Sequence, residues 1–355
     1  MALSLSAAAA GSLQLAVIEQ TLHTRHRAPP GVRHAEVPER LVAARDALVA
    51  APFAGELVWE RALDSGYSAA AAVEALKRVH SLEHLRTVEE MSQTGGGFDT
   101  DTYCAPGSWE AMLDGTRTWL EATTRAAAGD GPAVALTRPA GHHATRDVAM
   151  GFGLVNFAAA AVASHLHTHP ESRVSILDWD VHHGNGVAAI FADEPRVRYA
   201  STHEAGGFPG TGMDTTDRGA HANLLSLPLP KGAGGDAYLR ALWDAALPFL
   251  LTNPKPDLLL ICGGFDALEA DPLATMTLTP DDFATSVRMI VDEFGFPPSR
   301  VALGLEGGYS LDSDAGMPAA LVATCGALLL EGPPAACSGV RVRRAPLKAD
   351  SAISD

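Results

Sequence analysis

Five short runs of mainly apolar residues decide what this chain can fold into. They are "PAVALTR" (Pro132 to Arg138), "RVSILDWD" (Arg173 to Asp180), "VRYAST" (Val197 to Thr202), "DLLLICGG" (Asp257 to Gly264) and "RVALGLEGG" (Arg300 to Gly308). A strand exposed on one face alternates apolar and polar residues. These runs barely alternate, so both of their faces must be covered, as happens in a parallel sheet with helices on either side. Helix-length segments lie between them: "GSWEAMLDGTRTWLEATTRAAAG", "GLVNFAAAAVASHLHTH" and "GGDAYLRALWDAALPFLL" carry apolar residues at helical spacing. The alternation predicts an α/β fold with a mainly parallel, multi-stranded sheet flanked by helices. In such sheets ligands bind beyond the carboxyl ends of the strands, so the residues just after each run are the informative ones.

At 355 residues and 47% hydrophobic, the chain is long enough for one large domain or two ordinary ones. No Ser/Pro/Gly-rich linker divides its middle, which favours one. The formal charge of −16 disfavours a polyanion, so direct nucleic-acid binding is not expected and cationic partners are favoured. Cys104, Cys262, Cys325 and Cys337 show no CxxC spacing and read as reduced thiols of an intracellular, cytoplasmic protein. The acid-poor start "MALSLSAAAAGS" (residues 1–12) fits either a disordered beginning or the remnant of an organelle-targeting segment. No apolar run approaches the ~20 residues that cross a bilayer, so no membrane partner is expected. The oligomeric state is not legible.

The strand ends deliver an unusual set of groups to one rim. His142 and His143 follow the first run, Asp180 and His182 the second, Asp266 the fourth and Tyr309 the fifth. In "DWDVHHGNG", residues two apart share a face, so Asp178, Asp180 and His182 point one way while Trp179 and Val181 pack the other. Like-pointing charges at the end of a buried strand need a compensating partner, and a divalent metal would supply it. Asp-x-His alone reads equally well as a hydrogen-bonded cap on the strand. Asp266 tips the balance: it also ends a buried run and is flanked by Gly263, Gly264 and Ala267. Two carboxylates and one imidazole would leave open positions on a zinc ion.

"RPAGHHA" (138–144), "GFGLVNFAAAA" (151–161), "DWDVHHGNG" (178–186), "STHEAGGFPGTG" (201–212), "GGFDALEADPL" (263–273) and "LEGGYSL" (305–311) resemble, in order, the motifs of the zinc-dependent histone deacetylase superfamily. The nearest branch is that of the class II and deacetylase-like amidohydrolases, related to the acetylpolyamine amidohydrolases. The resemblance implies an arginase/deacetylase-like catalytic domain over residues 13–335, followed by a disordered tail over 336–355. It implies one Zn2+ per chain held by Asp180, His182 and Asp266. Catalysis would fall to His142 paired with Asp178, His143 paired with Asn185, and Tyr309, which would polarise the amide carbonyl. Gly151, Phe152, Phe208, Leu273 and Gly307 would line the substrate channel. Asp178, Asp180 and His182, with Ser201 and Thr202, would hold a structural K+.

The implied reaction is removal of acetyl or other acyl groups from lysine side chains of proteins or peptides. The chain departs from the family's common pattern at Ala140, Gly153 and Val155, and its early segment reads "HAEVPER" (34–40); these changes bear on rim shape more than on chemistry. An arginase-like dimanganese centre would need carboxylates where this chain has Gly184 and Leu268. An inactive acyl-lysine binding module would be expected to lose Asp180, His182, Asp266 or Tyr309, and all four are present. An acetylpolyamine hydrolase selecting through an acidic gatekeeper would want Glu at the place of Leu273. Acetylated polyamine is therefore the runner-up substrate, kept in view by the negative charge and by Glu269 and Asp271 nearby.

Overall fold

The computed structural model describes residues 13–330. The expected start (1–12), the last residues expected for the domain (331–335) and the expected tail (336–355) lie outside them. The strands are β1 (Leu15–Glu19), β2 (Leu57–Arg61), β3 (Gly96–Gly97), β4 (Tyr103–Cys104), β5 (Ala133–Leu136), β6 (Val174–Asp178), β7 (Val197–Glu204), β8 (Leu224–Leu229), β9 (Leu258–Gly263) and β10 (Val301–Leu305). Eight of them form one sheet in the order β2-β1-β5-β10-β9-β6-β7-β8, while β3 and β4 form a small antiparallel pair. Every pairing in the large sheet is parallel. This is the single α/β domain that the apolar runs predict, and all five runs are strands.

Every residue of β5, β6, β9 and β10 is buried. Successive residues serve opposite faces: Ile176 joins one hydrophobic cluster and Leu177 the other. On the Ile176 face lie α2 (Ala69–Lys77), α3 (Leu82–Thr94), α4 (Ser108–Ala128), α5 (Phe157–Thr168) and α6 (Asn185–Phe191). On the Leu177 face lie α1 (Glu39–Ala50), α7 (Gly235–Ala241), α8 (Leu247–Leu251), α9 (Pro280–Arg288) and α10 (Met317–Leu329). Gly304 of β10 sets the spacing on the first face. A Cβ there would stand 2.0 Å from Trp119 Cζ2, so only glycine lets the fully buried indole lie across the strand. Trp119 Nε1 then donates to Thr137 Oγ1 at 2.9 Å, tying α4 to the end of β5.

Two predicted helices differ in detail. The "GLVNFAAAAVASHLHTH" segment turns helical only at Phe157, because Asn156 caps it by accepting from Ala159 N at 3.0 Å, and the residues before it form a turn. The "GGDAYLRALWDAALPFLL" run is interrupted by a π-helical turn over Leu242–Ala246 just ahead of Pro248, which has no N–H to continue the ladder. Four neighbouring central strands, β5, β10, β9 and β6, therefore end side by side at one edge, and the candidate residues follow them.

Candidate active site

The regular strand β6 stops at Asp178, yet the alternation expected for "DWDVHH" persists. Trp179 and Val181 are buried in the Leu177-side core, with Trp179 packed on Phe283 (ring centroids 5.6 Å) and Phe265 (6.3 Å). Asp180 and His182 turn toward Asp266, which follows β9. One ligand atom from each of the three lies within 4.8 Å of the others. His182 Nδ1 sits 3.0 Å from Asp180 Oδ1 and 3.2 Å from Asp266 Oδ2. Asp266 Oδ2 is buried and takes part in no hydrogen bond.

Two buried carboxylates with only an imidazole between them demand a positive charge. Without a metal that charge is a proton: although burial opposes it, the adjacent carboxylates of Asp180 and Asp266 hold His182 well above the ordinary imidazole range. A divalent cation would take the proton's place, and the donor set of two oxygens and one nitrogen suits zinc. The surrounding backbone is shaped for this cluster. A Cβ on Gly264 would lie 2.1 Å from Asp180 Oδ2, and one on Gly307 would lie 2.1 Å from Asp266 Oδ2. Gly307 N–H also donates to Asp180 Oδ2 at 2.8 Å. Gly307, expected along the channel, thus stands against the carboxylates.

The paired histidines have different partners. His142 Nδ1–H donates to Asp178 Oδ2 at 3.0 Å, and Tyr199 OH donates to the same oxygen at 2.9 Å. Burial alone would lower His142, but the charges of Asp180 and Asp178 overcome it and raise it to about 10. A cation on Asp180 would remove the larger of those two contributions and leave Asp178. His143 Nδ1 pairs with Asn185 Oδ1 at 2.8 Å, and Asn185 Nδ2 turns back to His143 O at 3.3 Å. That orientation puts the proton on Nδ1 and leaves Nε2 as an acceptor. Burial first, then the nearby His142 and His182, hold His143 well below the ordinary range, so it stays neutral. His183 belongs to neither pair and bonds Thr211 Oγ1 at 2.8 Å. Of the groups expected at a potassium site, Ser201 pairs with Asp178 in the β6–β7 register and bonds His203 Nδ1 at 3.0 Å, while Thr202 Oγ1 is buried without a partner.

Tyr309 follows Gly307 and Gly308, and the positive φ of Gly308 (110°) turns the chain after β10. Its ring meets Phe152 edge to face at 5.5 Å, and the Arg40 guanidinium lies 4.7 Å from the ring centroid. Burial pushes its hydroxyl well above the usual phenol range, so it remains a proton donor. Phe208, 41% exposed, meets His143 edge to face at 4.9 Å. Gly151 fits between these last two rings, where a Cβ would stand 2.3 Å from His143 Cδ2 and 2.8 Å from Phe208 Cε1. Leu273, 44% exposed, is on the loop after β9.

Several supporting residues escape sequence reading. Arg40 donates to Glu306 O (2.6 Å) and Gly308 O (2.7 Å). Glu306 Oε2 accepts from Gly141 N (2.6 Å) and His142 N (3.1 Å), fixing the histidine loop. Glu36 takes both Arg138 and Arg40, and all three are fully buried. Asp271, expected near the mouth as a free acid, instead spends its carboxylate on main-chain N–H groups of Leu273, Tyr309 and Ser310. The only sequence signal for these residues is position: Arg40 and Glu36 lie in "HAEVPER", and Glu306 and Asp271 lie inside motifs. The "HLHTHP" tract is remote from the site. Its His165 and His169 stack at 4.6 Å beside a cleft of about 1220 Å³ at the opposite edge of the sheet.

A parallel sheet whose carboxyl edge gathers this cluster defines a class, the deacetylase-type amidohydrolases. The chain belongs to the histone deacetylase family: residues 34–325 match the histone deacetylase domain. It is 38% identical to an uncharacterized protein of Synechocystis sp. over 84% of this chain and 95% of that one. It is 37% identical to the histone deacetylase-like amidohydrolase of Pseudomonas aeruginosa over 76% of this chain and 70% of that one. The crystal structure of the HDA15 HD domain superposes with a TM-score of 0.77 at 31% identity, covering 90% of both chains.

Proposed function

We propose that this deacetylase is a zinc-dependent hydrolase of acetyl-lysine in proteins or peptides. The observation that carries the reading is the convergence of Asp180, His182 and Asp266 beside two histidines of opposite charge preference. Zinc, held by those three residues, would supply Lewis-acid activation of water and of the amide carbonyl. Neutral His143, its Nε2 free, takes the proton from the attacking water, and His142, charged and steadied by Asp178, supports the developing negative charge. The proton is then returned to the leaving amine through the histidine pair. The Tyr309 hydroxyl donates to the carbonyl oxygen and steadies the tetrahedral oxyanion. Phe152 and Phe208 flank the acyl-lysine stem. K+ near Thr202 would be structural.

Leu273 supports peptide over polyamine, because it offers no charge for a secondary ammonium. Asp271 offers no free acceptor either, since its oxygens are occupied by main-chain donors. The test is zinc content together with side-by-side turnover of acetyl-lysine peptides and acetylated polyamines. One zinc per chain, activity abolished by chelation and restored by zinc, and preference for peptide are expected. Full activity after exhaustive chelation would overturn the zinc reading, and higher turnover efficiency on acetylpolyamines would overturn the substrate reading.

A further inference from the structure

Tyr309 lies on a segment that has left the sheet, so nothing in β10 fixes the peptide plane ahead of it. Arg40 and Asp271 grip that one peptide unit from its two sides. Arg40 Nε donates to its carbonyl, Gly308 O, at 2.7 Å, and Asp271 Oδ2 accepts from its amide, Tyr309 N–H, at 2.6 Å. Asp271 Oδ2 also lies 3.3 Å from Ser310 N, while Oδ1 accepts from Leu273 N–H at 2.9 Å. Asp271 as a whole is 7% exposed, so these bonds are little contested by water. Its own loop is pinned at the base, where Leu278 N donates to Ala267 O (3.1 Å) and Glu269 N to Leu278 O (3.0 Å). A second carboxylate, Glu204 at the end of β7, holds the far side of the loop by accepting from Thr275 N at 3.0 Å. Asp271 is therefore a rigidly mounted acceptor facing a segment rich in glycine.

We propose that Asp271 is the positioning residue for Tyr309 and that it couples the lip of the channel to the carbonyl-polarising hydroxyl. The argument rests on the role given to Tyr309 under Proposed function. An N–H bond at the peptide preceding Tyr309 restricts the rotation that would swing the ring away from the substrate carbonyl. The same carboxylate fixes Leu273, so the rim that admits the substrate and the group that acts on it move as one piece. A misplacement of about 1 Å at a reacting group costs on the order of 100-fold in rate, which sets the scale of the effect.

Asp271→Asn tests this with little change of volume. One of its two former acceptor atoms becomes an NH2 facing another N–H. On an acetyl-lysine peptide, kcat should fall by about 10 to 100-fold while KM stays within about 3-fold, since the lost interaction acts in the transition state. In a Tyr309→Phe background the same substitution should cost less than about 2-fold, because the hydroxyl it positions is already gone. A residue with a merely structural role would cost the same in both backgrounds, and that result, or unchanged kcat in the single variant, overturns the proposal. If Asp271→Asn does not fold, Asp271→Ser, which keeps one acceptor oxygen, is read in the same cycle. Near-normal turnover of Tyr309→Phe alone would sink the role of Tyr309 and this proposal with it. A collapse of Tyr309→Phe together with equal losses in both backgrounds would sink only the role of Asp271.

Discussion

Replacing Gly307 by alanine would place a methyl carbon 2.1 Å from Asp266 Oδ2 and 2.6 Å from Asp180 Oδ2. Gly307 does not have a positive φ, so alanine meets no backbone penalty and the whole effect is this collision. Carbon and oxygen repel strongly inside about 3 Å, so the Asp266 carboxylate must retreat by roughly 1 Å. Metal–ligand distances tolerate only ~0.2 Å. The displacement therefore removes one of three protein ligands, and it disturbs a second that also receives the Gly307 N–H bond. Loss of a residue that merely supports a ligand costs about 10 to 100-fold in metal affinity, so loss of a ligand should cost at least about 100-fold. The assay is competition for zinc between metal-free protein and a chromophoric chelator, with bound metal counted by mass spectrometry. Gly55→Ala is the control, because a Cβ at Gly55 meets nothing within 4 Å. If Gly307→Ala bound zinc as tightly as the unmodified chain, the triad would not be the metal site.

Tyr309→Phe should lower kcat by about 100-fold with KM little changed, as steady-state kinetics would show; near-normal turnover would remove the hydroxyl from the mechanism. Leu273→Glu should shift the ratio of kcat/KM toward acetylated polyamines by about 5 to 150-fold, the value of a partly desolvated charge contact, and a ratio that does not move would place selection elsewhere on the rim. Glu36→Gln should destabilise the fold by about 3 to 5 kcal/mol at neutral pH, since it strands the buried Arg138 and Arg40 charges. Burial alone would raise Glu36, but Arg138 outweighs it and brings Glu36 down from 4.5 to about 2. Its contribution is thus complete above 4.5 and fades as pH falls toward 2, so unfolding curves of Glu36→Gln should show a flatter acid limb.

The centre of the fold was legible because burial on both faces leaves no room for polar residues, as in "LLLIC" of β9. The sheet's margins were not. β2 reads "LVWER" and is only half-buried, and β8 carries Pro228, tolerable there because nothing pairs beyond it. β1 is as long as β6 and β10, but none of the motifs follows it, so nothing in the sequence marks it. At the site, side chains that present chemistry announced themselves by type and spacing. Those that hold the backbone did not. A buried Arg138–Glu36–Arg40 group looks, in sequence, like surface charge, and Asp271 looks like a free acid at a channel mouth. Only burial and direction reveal that these charges are spent on one another or on peptide groups.

The place of β10 in the sheet order bears on how the protein comes into being during synthesis. Among the described residues it is the last strand in sequence, yet it sits between β5 and β9, and in the strand order it alone joins β2-β1-β5 to β9-β6-β7-β8. Before β10 leaves the ribosome the nascent chain can pair two separate half-sheets, each with a raw apolar edge that invites wrong partners. Asp180, His182 and Asp266 all belong to the second half, whose strands β6 and β9 pair directly. His142 and His143 belong to the first, and Glu306, which grips the His142 backbone, arrives with β10 itself. The three residues proposed to hold zinc are therefore all synthesised before β10, whereas Glu306 and Tyr309, which complete the proposed catalytic group, come only after it.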